Sequence, residues 1–138
     1  MFMTRKKKRA IMTAIGLVAG IALVIGILIA MRYKHYQTTV DELVFSDIEL
    51  ASLTDGIYIG EYDADIIYAK VEVIIQEGRI SDLTILEHRN ERGSDAEAII
   101  TDIIREQSLD VDTVSSATNS CKVIRKAIEH ALTGHQAK

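Results

Sequence analysis

The chain has no proline and no tryptophan, and its 138 residues include one cysteine and two phenylalanines. A single cysteine excludes a disulfide framework and a cysteine-rich zinc site. Acidic residues are missing from the first 34 positions, which hold seven of the 16 bases: Arg5, Lys6, Lys7, Lys8, Arg9, Arg32 and Lys34. From His35 onward nine bases face all 20 acids, a formal charge of −11. That division excludes a simple soluble domain. It also excludes a generic nucleic-acid binder, because the acidic part would repel a phosphate backbone. What remains after the first segment has room for one domain of about 100 residues.

Residues 10–31 (AIMTAIGLVAGIALVIGILIAM) contain no charge. About 20 apolar residues suffice for a helix to cross the hydrocarbon core, where every backbone amide must be bonded internally. Gly16 and Gly20 have the GxxxG spacing that can bring two such helices together. Five bases precede the run and two follow it closely. The positive-inside rule then places residues 1–9 in the cytoplasm and the acidic part outside. A cleaved signal peptide would have a shorter apolar core and a small-x-small site. Here Met31-Arg32-Tyr33-Lys34 follows, so the expectation is an uncleaved signal anchor in the cell membrane.

Residues 32–53 read as a stalk. Val40, Leu43, Val44, Ile48 and Leu53 suggest a helix leading off the bilayer, and the spacing leaves open whether it packs on the domain.

Residues 54–138 read as the domain. Thr54-Asp55-Gly56 is a turn signal. Strands are expected from Ile57 to Tyr62, over residues 66–76 and over residues 79–88. Val71, Val73 and Ile75 alternate with Lys70, Glu72 and Ile74, as in a sheet with one face on a core. Glu77-Gly78 is a two-residue hairpin signal. After a loop at 89–93, Ser94 to Glu97 has the form of a capping box. A helix follows, with Ala96, Ile99, Ile100, Ile103 and Ile104 as its apolar stripe. Residues 108–114 read as a short extended piece. A last helix over 119–132 would bury Cys121, Ile124, Ala127, Ile128 and Ala131, and present Lys122, Arg125, Lys126 and Glu129 on its opposite face. The fold class is α+β: an N-terminal transmembrane helix, then a small antiparallel sheet packed with two helices.

The candidate site is the turn before the last helix: Asp112-Thr113-Val114-Ser115-Ser116-Ala117-Thr118. The first amides of a helix have no internal partners and lie at the positive end of its dipole, which suits an anion. Ser115, Ser116 and Thr118 put three hydroxyls there. Lys122 and Arg125 are spaced to share the Thr118 face. On spacing alone, two readings stay open. One is a phosphate site. The other is a set of ordinary helix caps beside a solvated basic face.

The segment resembles the signature of the FMN-binding domain family, which includes the flavin-carrying subunits of sodium-pumping NADH:quinone reductase and the related ferredoxin-linked electron-transport complex. The family pattern is Asp, two variable residues, Ser or Thr, Gly or Ser, Ala, Thr. It falls on Asp112, Ser115, Ser116, Ala117 and Thr118, with Ser116 where many members have Gly. Asp55-Gly56, Glu77-Gly78, Glu87-His88 and Ala127 to Leu132 extend the likeness. The resemblance implies FMN attached to Thr118 through a phosphoester made by a flavin transferase, and a membrane-associated redox donor and acceptor. The resulting expectation is a membrane-anchored, extracytoplasmic electron carrier rather than a complete enzyme. The alternatives are a reversible FMN-binding domain and an anchored interaction module without cofactor. Cys121 reads as a small buried hydrophobe. His88 reads as a surface or capping residue. No ligand spacing for a metal is legible.

Overall fold

The computed structural model describes residues 4–89 and 94–134. Asn90 to Gly93, on which most of the expected loop falls, lie outside the described residues. The chain divides into two compact units, Met1–His35 and Tyr36–Lys138. The first unit consists of most of α1 (Arg5–Asp41), and it exposes its apolar side chains. This is a helix long and apolar enough to cross a membrane.

The second unit begins with the last residues of α1. Tyr36 and Val40 are buried in the domain core, and α1 ends at Asp41. The chain then runs without a helix to a single 3-10 turn, Leu50–Ser52. Leu43, Ile48, Leu50 and Leu53 pack against the core, while Val44 stays exposed. The segment expected as a stalk is therefore a strap laid on the domain from Tyr36 onward. Burying its apolar side chains outweighs extending them into water.

The sheet has three antiparallel strands in the order β1 (Gly56–Asp63), β2 (Tyr68–Gln76), β3 (Arg79–Arg89). Its alternation follows β2: Ala69, Val71, Val73 and Ile75 are buried, and the residues between them face outward. Glu77 and Gly78 both take positive φ, 52° and 70°. That is the backbone a two-residue hairpin needs to match strand twist. Gly78 also lies under the strap, where an added Cβ would stand 2.9 Å from Ala51 Cα.

The helices cover one face. A 3-10 turn, Ser94–Ala98, leads into α2 (Ile99–Glu106), which packs on β3. The Ser94 side chain of the expected capping box lies outside what the structure describes. The N-cap of α2 is Ala98, without a side-chain bond, and Glu97 instead meets His88 Nδ1 at 3.2 Å. The His88 ring is buried rather than on the surface. No strand forms over residues 108–114; Val111 is buried, and Leu109 and Val114 pack on the core. Side chains pin this linker, and Gln107 does the pairing: its amide bonds both the N–H and the C=O of Ile80, at 2.8 and 2.9 Å.

The final helix, α3 (Thr118–Thr133), crosses β1 and β2. All five residues expected on its apolar face are buried. The opposite face is not solvated as expected. The strap covers it: Asn119 Nδ2 donates to Gln37 Oε1 at 3.3 Å, and Lys126 Nζ to Val44 O at 2.8 Å. Glu129 is only 6% exposed in its side chain and is paired with Lys126 at 3.0 Å. A charge this buried persists because its partner is buried with it.

On the open face of the sheet, the Tyr68 hydroxyl donates to Glu61 Oε2 at 2.6 Å. This bond to a carboxylate, then desolvation and the neighbouring acids, push the phenol up to about 12. The folded-state value is raised, so the Tyr68 contribution to stability is complete below about pH 10 and fades as pH rises toward 12. Burial also raises Tyr62, so an alkaline phenolate titration should show Tyr68 among the late tyrosines, and Tyr68→Phe should remove the step near 12.

Candidate functional site

Three of the five expected site residues, Ser115, Ser116 and Ala117, form one turn, and Thr118 follows it directly. Ala117 N–H closes it on Val114 O at 2.9 Å. Ser115 and Ser116 are exposed at its tip, and Asp112 is exposed three residues before it. Ala117 is buried and holds the N-cap position of α3 at φ −140°, ψ 30°. Thr118 is the first helical residue, half-buried, with Oγ1 donating to Val114 O at 3.4 Å.

The ordinary capping role is not what these hydroxyls do. An alanine stands at the cap, and no side chain caps the helix. The first intrahelical bond is Cys121 N–H to Ala117 O at 3.0 Å. The amides of Thr118, Asn119 and Ser120 therefore precede the ladder and have no acceptor within the helix. No acid sits in the first turn of α3, so no carboxylate of its own occupies the positive end of the dipole. This end of the helix fits a phosphate.

The cations expected beside it are engaged elsewhere. Lys122 Nζ pairs with Asp41 of the strap at 3.3 Å. Arg125 lies over the Phe45 ring, 4.4 Å from its centroid, and reaches Asp110 at 3.5 Å. The positive potential predicted from spacing is thus largely met inside the protein. The chain's own amides, rather than lysine or arginine, are left to face an anion. Cys121 is fully buried with Val114 N–H 3.4 Å from its sulfur, and burial raises its thiol pKa. It is no exposed redox thiol.

A cleft opens further along the same helix. It holds about 610 Å³ and is lined by Phe45 and Ile48 of the strap, Ser108, Leu109 and Asp110 of the linker, and Arg125. Sequence reasoning missed it. Phe45 and Arg125 are 80 residues apart, and nothing in their local pattern joins them.

The geometry can be set beside known families. The model of a family described as FMN-binding domain matches residues 65–133, half of the chain. The chain belongs to the FMN-binding domain family. The matched span includes β2, β3, α2, the 112–118 turn and all of α3. The strap and β1 lie before it, so one wall of the cleft lies outside the part of this FMN-binding domain that the family model describes. No curated protein matches the chain.

Proposed function

We propose that this FMN-binding domain protein is a membrane-anchored, extracytoplasmic electron carrier whose FMN is bound covalently through Thr118. The observation that carries the reading is the start of α3: a hydroxyl at the first helical position, amides without helical acceptors, and an alanine in place of a capping side chain. FMN when bound supplies one- and two-electron transfer, and the protein supplies tether, position and electrostatics.

The engaged cations favour a covalent bond over reversible binding. A free FMN phosphate would meet amides alone, on a domain whose net charge repels it. A phosphoester removes the need for a standing cation. The exposed Ser115-Ser116 tip gives a modifying enzyme access to the turn. Thr118 Oγ would act as the nucleophile toward a phosphorus bearing a leaving group, losing its proton as that group departs. The basic cluster Arg5 to Arg9 at the start of α1, ahead of the apolar run, orients the helix with its N-terminus in the cytoplasm and the acidic domain outside. The partners are a flavin transferase, a membrane-associated donor and acceptor, and the lipid bilayer.

The test is to express the full chain in a host with a flavin transferase and run it on a denaturing gel. Flavin fluorescence in the protein band is the expected result. Yellow protein that loses its colour on denaturation would support reversible FMN binding. No flavin in either form would leave an anchored interaction module.

A further inference from the structure

We propose that the outer edge of the sheet, along Ile57 and Ile59 of β1, is a docking strand for an extended segment of a partner protein, apolar at its centre and basic at its ends. The surface is independent of Thr118 and of any flavin.

The edge follows from the β1–β2 turn. Ala64 N–H donates to Ile67 O across that turn at 2.8 Å. In an antiparallel pair, hydrogen-bonded positions recur at every second residue. The register Tyr62↔Ala69, Gly60↔Val71, Tyr58↔Val73 continues the series, so these β1 residues turn their backbone groups to β2. The N–H and C=O of Ile57, Ile59 and Glu61 then point away from the sheet. Glu61 O accepts from His130 Nδ1 at 3.0 Å, which closes that end of the edge. Among the described residues no strand pairs with Ile57 or Ile59 on the outer side. The opposite edge differs: at Ile80 of β3 the Gln107 amide fills both backbone positions. An unpaired edge is a template for another strand, and proteins blunt it with lysine, proline or a bulge. The eight residues of β1 include no lysine and no proline, and their pairing with β2 has no register shift.

The side chains select the occupant. Ile57 and Ile59 are 64% and 45% exposed on the open face. Half-buried Ile74 stands opposite Ile57 and widens the apolar strip. Acids rim it: Glu72 opposite Ile59, Asp82 opposite Ile74, Asp55 before the strand and Glu61 beyond. Pairing with a second copy about Tyr58 would set Glu61 opposite Asp55, on domains of formal charge −11 each. A segment with apolar residues at its centre and bases at its ends meets both the strip and its rim.

The test uses the full chain in detergent and a synthetic strand as probe, acetyl-Lys-Thr-Val-Thr-Val-Thr-Lys-amide, one face of which carries Lys, Val, Val and Lys. Saturable binding is expected, weakened severalfold as salt is raised. In the free chain the amides of Ile57 and Ile59 should exchange with deuterium faster than those of Tyr58 and Gly60, and the probe should slow them. Ile59→Pro, which removes an outward N–H, and independently Ile57→Lys, which puts a base on the strip, should each lower the affinity at least about tenfold with the urea midpoint kept. If Ile59→Pro lowers the midpoint, Ile57→Lys decides. The same peptide with Pro for both Val, equal in charge, should not bind, and neither should the peptide with Glu for both Lys. A Pro peptide that binds as tightly as the probe overturns strand docking, and a Glu peptide that does so overturns the basic partner. No saturable binding, or protection that spares Ile57 and Ile59, overturns the proposal. Self-association lost in Ile57→Lys, with no probe binding, gives the edge to a second copy and overturns the partner. Flavin content enters none of these readouts, so their failure leaves the Thr118 reading standing.

Discussion

Gly60→Ala should unfold or severely loosen the domain. Gly60 is the buried residue of β1 where α3 crosses the sheet. A Cβ there would land on the backbone nitrogen of Ala131 and the carbonyl oxygen of Ala127, and 2.7 Å from Ala131 Cα. These are backbone atoms of a helix packed on both faces, so no side chain can swing aside. The whole helix must move, which places the cost at or above the top of the ~1–3 kcal/mol usual for overpacking. That is a large share of a domain stability of about 5–15 kcal/mol. With no tryptophan in the chain, the readout is tyrosine near-UV circular dichroism along a urea series. The midpoint should fall sharply in Gly60→Ala. Gly56→Ala is the control, because its Cβ would meet only Tyr58 at 3.8 Å. It should change stability by no more than about 0.5 kcal/mol.

Thr118→Ala should abolish covalent flavin, while Thr118→Ser should retain it in part. The alanine variant loses one long bond to Val114 O, 3.4 Å in the native turn. Its folding cost should therefore stay near or below ~1 kcal/mol. Loss of flavin with an unchanged urea midpoint separates a missing nucleophile from a missing fold. A loss of flavin accompanied by a collapsed midpoint would mean that Thr118 serves the turn rather than the bond.

The sheet was readable because its local signals and its packing agree. The alternation in β2 is that of a strand with one wet face, and Glu77-Gly78 takes the positive φ values that its composition predicts. The apolar stripe of α3 was readable for the same reason. The start of α2 was not. Ser94 and Glu97 have the capping-box spacing, but Glu97 has a better partner in the buried His88 ring. The extended look of residues 108–114 reflects alternating side chains that reach the core without a neighbouring strand to pair with.

The site was legible in its motif and not in its electrostatics. Thr118 at the first turn of a helix follows from the 112–118 pattern. The fate of Lys122 does not, because Asp41 lies 81 residues away and only the strap brings it close. Arg125, Lys126 and Glu129 look like a solvated face by spacing alone. They are covered because Tyr36 and Val40 turn the chain leaving α1 back onto α3. Composition cannot tell a strap from a stalk when both carry the same scattered apolar residues.

The most direct test of the account is peptide mass analysis of the denatured wild-type chain, made in a host with a flavin transferase. The account predicts that the peptide containing Ser115 to Lys122 carries the mass of one FMN less one water, with fragmentation placing it on Thr118. An unmodified Thr118 in a chain purified from flavin-transferring cells, or the same mass on Ser115 or Ser116, would contradict it.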